Sequence, residues 1–210
     1  MILDNIIEKI PAFFCLLDPD KQDVGKSVNL AKMYENNGAD AIMVGGSLML
    51  KNRFSETIKK IKQEVKIPVL IFPGVYNFIA KEADALLNLS LISSRNPQFL
   101  IGEHVRTAGL IKKYNLVSIP VGYILVESGK MTSVQYMSNS IPIPRDKNDI
   151  AVAHALAAQY LGMKMIYLEA GSGAVFPVSD AMISEVKKNI DIPLIVGGGI
   201  RNPEVAAQKI

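Results

Sequence analysis

One pattern restricts this chain more than any other: short apolar runs alternate with amphipathic helical stretches from Phe13 onward. The runs fall at residues 13–17, 41–44, 69–72, 85–89, 117–126, 165–168 and 194–196. Helical patterns fill the gaps at 24–37, 55–65, 99–114, 149–161 and 180–189. A last helix opens at Pro203, where a missing backbone N–H leaves no bond unmade. Gly38 is a natural stop for the first helix, and Ser55-Glu56 a polar start for the second. Apolar strands separated by helices predict βαβ units and parallel pairing, because helices can then cover the sheet.

An open doubly wound sheet and a closed barrel both satisfy that pattern. The repeat is regular over the whole chain, with no second block of different composition. Gly-, Ser- and Asp-rich motifs follow the first, second, sixth and seventh runs, so several strand ends supply one face. The Gly-rich turn after the seventh run lies where such barrels commonly hold a phosphate. These features predict a TIM-type (β/α)8 barrel. Length permits one or two domains, and the uniform repeat favours a single domain over residues 1–210. Seven strands are counted, so the expected barrel is truncated after strand seven and part of the following helix. The least regular stretch, 127–147, follows a strand and reads equally as a lid or as a solvent-exposed excursion.

Composition removes several function classes. A net charge of +3 without a basic stripe argues against nucleic-acid binding. Lys59, Lys60, Lys62 and Lys66 share a helical stretch with Glu56 and Glu64 and read as a solvated face. The single cysteine, Cys15, lies in an apolar run and reads as a buried structural thiol. With two histidines and one cysteine, a zinc site is not expected. No stretch approaches ~20 uninterrupted apolar residues, so no transmembrane span is expected. The N-terminus lacks a signal-peptide core, which points to a cytoplasmic protein. His104 and His154 fall in helical patterns, His104 as a surface or interface residue. Tyr76, Tyr123 and the methionines read as core or pocket lining.

Four motifs carry chemistry. Asp18-Pro19-Asp20-Lys21 follows strand one and offers carboxylates suited to Mg²⁺, which takes carboxylate and phosphate oxygens. Asp18 is the better candidate, because Pro19 fixes the chain just after it. Asp-Pro-Asp is also ordinary turn chemistry. In Val44-Gly45-Gly46-Ser47, the glycines let backbone approach a ligand, and Ser47 can ligate a metal or bond a phosphate. Tyr167-Leu168-Glu169-Ala170-Gly171-Ser172-Gly173-Ala174 places a carboxylate beside an anion-binding loop. That pairing suits a ligand with both hydroxyls and a phosphate. Gly197-Gly198-Gly199 leads into a helix and forms a phosphate cradle, without the dinucleotide fingerprint.

In this order, LLDPDK, VGGS, YLEAGSGA and VGGGI resemble the geranylgeranylglyceryl phosphate synthase family, which includes bacterial PcrB-like enzymes. The resemblance runs from about Phe13 to the end of the chain. It implies a prenyltransferase that joins a polyprenyl group, geranylgeranyl by default, from its diphosphate to the C3 hydroxyl of sn-glycerol 1-phosphate. The product is an ether lipid precursor. By the same resemblance, Asp18 and Ser47 hold Mg²⁺, and Tyr167 through Gly173 (Tyr167, Leu168, Glu169, Ala170, Gly171, Ser172 and Gly173) wrap the glycerol phosphate. Gly198 and Gly199 bind its phosphate. Glu169 and Asp18 are the implied catalytic residues. The prenyl tail needs an apolar groove, with candidates near Tyr123 and in the loop after Pro73-Gly74.

Two departures accompany the resemblance. Some members carry Lys two residues before the Asp, whereas this chain has Leu16 there, as in the branch with many archaeal enzymes. The family's second phosphate loop follows strand eight, so an open seam with weakened stability and phosphate affinity is the expectation. A homo-oligomer is the usual arrangement, and a lipid substrate leaves membrane-surface contact open. Two other readings compete: a phosphosugar isomerase or cyclase, and an inactive phosphate-binding protein.

Overall fold

The computed structural model describes residues 2–74 and 78–209. Tyr76 and its neighbours directly after Pro73-Gly74, residues 75–77, lie outside the described residues. The chain forms two compact units, Met1–Asn88 with Glu103–Ile119, and Leu89–Gly102 with Pro120–Ile210.

The first unit opens with α1 (Ile2–Ile7), which the sequence reading did not anticipate. It continues with β1 (Phe14–Leu17), α2 (Val24–Asn36), β2 (Ala41–Gly45), α3 (Phe54–Glu64), β3 (Val69–Phe72), the start of β4 (Ala85–Leu91), and α4 (Glu103–Tyr114). The strands pair in parallel and in chain order, with Phe14 opposite Ala41, Ile42 opposite Val69 and Leu70 opposite Ala85. This register sends the turns after β1, β2 and β3 out from the same end. Asp23 caps α2 by accepting the Lys26 N–H at 2.8 Å, and Gly38 (φ 86°) ends it as expected. The start of α3 differs from expectation: Arg53 precedes it without a side-chain cap. Phe54, Ile58, Ile61, Val69, Ile71 and Phe78 build the core, with Phe54 and Phe78 edge to face at 5.3 Å. Cys15 is buried there, and burial pushes its thiol up to about 11, so it is an inert protonated thiol. Lys59, Lys60 and Lys66 are exposed, while Lys62 bonds Asp84 at 2.7 Å.

In the second unit a π-helical turn (Gln98–Gly102) replaces the expected start of the long helix. The unit then adds β5 (Val117–Leu125) from Pro120 onward, α5 (Ser133–Ser138), α6 (Asn148–Tyr160), β6 (Met165–Glu169), α7 (Asp180–Asn189), β7 (Leu194–Gly197) and α8 (Pro203–Gln208). Again the strands are parallel and sequential, with Leu125 opposite Glu169 and Glu169 opposite Gly197. Doubly wound sheets reverse strand order at a switch point, and neither unit contains such a reversal. Alanines explain how α6 lies against β5. A Cβ on Gly122 would stand 2.6 Å from the Ala158 methyl, and Ala151, Ala155 and Ala158 are fully buried. The excursion at 127–147 is more ordered than its composition suggests. It contains α5, and Ile143 accepts from the Glu127 N–H and donates to the Leu125 carbonyl, both at 2.9 Å.

Candidate active site

In the first unit the site residues gather around the turn after β1. The half-buried Asp18 carboxylate accepts the Asp20 N–H at 3.0 Å through Oδ1, while Oδ2 stands 3.4 Å from Lys21 Nζ. Gly46 faces this group: a Cβ there would lie 3.2 Å from Asp18 Oδ2. Ser47 follows on the same turn, half-buried. Asp20 has a different task. Its carboxylate accepts the Leu50 and Lys51 N–H groups at 2.5 and 3.1 Å, which pins the loop before α3. The two carboxylates of Asp-Pro-Asp are therefore divided between a loop anchor and a group open to ligand. Among the described residues no three His, Cys, Asp or Glu side chains gather into a complete metal cage. The Asp18 carboxylate, faced by the turn that carries Gly46 and Ser47, fits a magnesium ion that takes its remaining ligands from water and substrate phosphates. Leu16 is 41% exposed and supplies no charge.

The second unit holds the buried carboxylate. Strand alternation puts Tyr167 and Glu169 on one face of β6 and Leu168 on the other. Leu168 and Ala170 are fully buried in the apolar core, so any ligand contact from them is through backbone. Glu169 is 6% exposed and accepts the Gly171 N–H at 2.5 Å. The Tyr167 and Tyr123 hydroxyls also donate to it. Burial raises the Glu169 carboxyl above the ordinary glutamate range, and those three donors oppose the rise. Burial, then the adjacent carboxylate, holds both phenols well above the usual tyrosine range, so they stay protonated donors. Their rings meet edge to face at 5.4 Å. Tyr123, read from sequence as lining, therefore bonds the central carboxylate. The parallel register that sets it opposite Tyr167 brings it there.

Two glycine turns flank Glu169. Gly171 has φ 96° and Gly198 φ 81°, left-handed values that favour glycine. A Cβ on Gly198 would stand 2.5 Å from both Glu169 Oε1 and the Gly171 nitrogen. Ser172 and Gly173 are exposed, and Gly198 and Gly199 half-buried. Cations occupy the carbonyls of the segment after the first turn. Arg201 donates to Ala174 O at 2.8 Å, Lys209 to Val178 O at 2.9 Å, and Arg145 to Pro177 O. With its carbonyls so engaged, this segment is held in place next to the exposed Ser172 and Gly173. His104 Nδ1 lies 2.6 Å from Asn88 Oδ1 in the first unit, and His154 Nδ1 lies 2.8 Å from the Ile150 carbonyl on α6.

The model of the PcrB family matches residues 4–210. The chain belongs to the PcrB family. Among curated relatives, the geranylgeranylglyceryl phosphate synthase of Pyrococcus furiosus is 48% identical over 199 residues, covering 94% of this chain and 78% of that protein. Among solved structures, a GGGPS from Thermoplasma volcanium superposes with a TM-score of 0.94 at 38% identity, over 100% of this chain and 85% of that one. (S)-3-O-geranylgeranylglyceryl phosphate synthase from Thermoplasma acidophilum, in complex with its substrate sn-glycerol-1-phosphate, gives 0.93 at 34% identity over the same shares. This PcrB family chain has the TIM-type (β/α) barrel fold class that its repeat implies.

Proposed function

We propose that this protein is a prenyltransferase that joins a prenyl group, of geranylgeranyl length, to the C3 hydroxyl of sn-glycerol 1-phosphate. One observation carries the reading. A buried carboxylate held by two tyrosine hydroxyls and a backbone N–H lies between two glycine turns. The carboxylate suits the hydroxyls of a glycerol phosphate, and the glycine turns suit its phosphate. Relatives named for this activity support it.

In the reaction the C3 oxygen attacks the allylic carbon of the prenyl diphosphate. A new C–O bond forms, and the old one breaks with its electron pair leaving on diphosphate. Glu169 orients the glycerol hydroxyls and takes the proton of the attacking one. Its raised pKa makes it a stronger base than an ordinary glutamate. Asp18 and Ser47 would hold magnesium, which neutralises charge growing on the leaving diphosphate. An isomerase or cyclase needs a second acid or base opposite Glu169, and the partners described for its carboxylate are two neutral phenols and an amide.

Incubation with sn-glycerol 1-phosphate, magnesium and prenyl diphosphates of several lengths tests the reading. A lipid-soluble ether phosphate is expected, and its absence with every donor would defeat the proposal. Among the described residues no helix is long and apolar enough to cross a membrane. A cytoplasmic location and a homo-oligomeric state complete the proposal, and fractionation with size-exclusion chromatography tests them.

A further inference from the structure

The segment before α5 is docked onto the turn after β6 at several points. The Ser128 carbonyl accepts the Val175 and Phe176 N–H groups at 3.0 and 3.1 Å. A Cβ on Gly129 would stand 2.9 Å from the Phe176 ring, and one on Gly171 would stand 2.6 Å from Thr132. Ser128 and Thr132 are buried at 3% and 5% exposure. Lys130 lies between these two anchors and is exposed. Its ammonium is 3.6 Å from where a Cβ on Gly173 would be, directly over the Gly171-Ser172-Gly173 turn.

The cations around this turn differ in what they bond. Arg201, Lys209 and Arg145 are committed to carbonyls of the 174–178 segment. Lys130 has no carboxylate or carbonyl partner through its ammonium among the described residues. A cation held by buried neighbours over the exposed Ser172 and Gly173, and left uncompensated, is arranged for an incoming anion.

We propose that Lys130 is a phosphate-binding residue. It closes over the Gly171–Gly173 turn and pairs with the phosphomonoester of the acceptor. This rests on the acceptor assigned under Proposed function, though the phosphate contact itself does not require turnover. Lys130 sets affinity for the acceptor and not for the prenyl donor. The ammonium is a point charge on a flexible stem, so arginine can replace it in charge where glutamine cannot.

The test uses the full chain as wild type, Lys130→Gln and Lys130→Arg, each checked by thermal melting. Calorimetric titrations with inorganic phosphate and with sn-glycerol 1-phosphate read binding without turnover. Steady-state assays read the KM of each substrate. Lys130→Gln is expected to weaken both titrated ligands by about tenfold to a hundredfold. It raises the acceptor KM to match, leaves the donor KM unchanged and keeps the wild-type melting temperature, while Lys130→Arg recovers most of the affinity. Unchanged phosphate and acceptor binding in Lys130→Gln overturns the inference, even where wild type makes ether product. A wild type that makes no product, but whose phosphate affinity falls in Lys130→Gln, sinks the prenyltransferase reading and supports the phosphate contact.

Discussion

Asp18 follows the end of β1 and Glu169 closes β6, yet the two carboxylates meet different surroundings. The Asp18 side chain is 23% exposed, on a turn beside Lys21. Glu169 is 6% exposed and enclosed by Tyr123, Tyr167 and the Gly171 amide. An accessible carboxylate can keep a hydrated divalent ion, whose remaining ligands are water and phosphate oxygen. A desolvated one binds a proton more tightly and suits hydroxyl chemistry. Side-chain class is the same at both positions, so access to water is what separates them.

That division can be broken most directly by exchanging which carboxylate is lost. Asp18→Ala is expected to lower turnover by about 10³-fold. Its dissociation constant for sn-glycerol 1-phosphate, read by calorimetry, stays within about threefold. Glu169→Gln lowers kcat by roughly 10²–10⁴-fold and weakens acceptor binding as well. If both variants lose the same substrate equally, the two carboxylates do not divide the work as described.

Glycine substitutions sharpen the comparison at a smaller scale. Gly198→Ala puts a methyl 2.5 Å from Glu169 Oε1 at φ 81°, and destabilisation of roughly 2–3 kcal/mol is expected. Gly46→Ala meets the Asp18 carboxylate at 3.2 Å, in a backbone conformation open to any residue, and is expected to be milder. Equal losses in melting temperature would show that the buried site is no more rigid than the open one.

The pH dependence separates the sites further. Burial raises the folded-state pKa of Glu169 above its unfolded value. Between those two values the folded chain holds a proton that the unfolded chain has released. Stability from this group is complete below the unfolded pKa and is lost as pH rises through the folded one. Glu169→Gln is expected to flatten that fall in denaturant titrations. In wild type, activity should rise with pH through a value above the ordinary glutamate range. Tyr123→Phe removes a donor that lowers the pKa, so it should move the limb higher still. An unmoved limb would mean that the phenol does not tune the base.

Asp20 is expected to show the smallest effect. Asp20→Ala frees the loop before α3 and should cost about 1 kcal/mol. Its magnesium dependence should stay that of wild type, in contrast to Asp18→Ala.

Much of this was legible in the residues, for local reasons. Elements such as β3 and α7 fell where apolar runs and helical periodicity put them, because both periods are properties of the chain itself. The glycines at 171, 198 and 199 announced unusual backbone. Legibility failed where nonlocal contacts override local pattern. Ser133–Ser138 is a helix within a stretch whose Gly, Ser and Pro content reads as loop, because Ile143 ties that excursion back to β5. The helix expected from residue 99 begins as a π-helical turn. The N-terminal helix was missed because six residues carry too little periodicity to register.

Sequence alone determined the βα repeat, the parallel pairing within each unit and the identity of the glycine turns. Those follow from side-chain period and from the backbone freedom of single residues. Tertiary structure alone decided that Asp20 is an anchor while Asp18 is open, that Tyr123 bonds Glu169, and that Lys130 stands over the Gly171–Gly173 turn. Each of these depends on which groups lose water and which meet across strands or loops, and desolvation and through-space contact leave no mark in residue order.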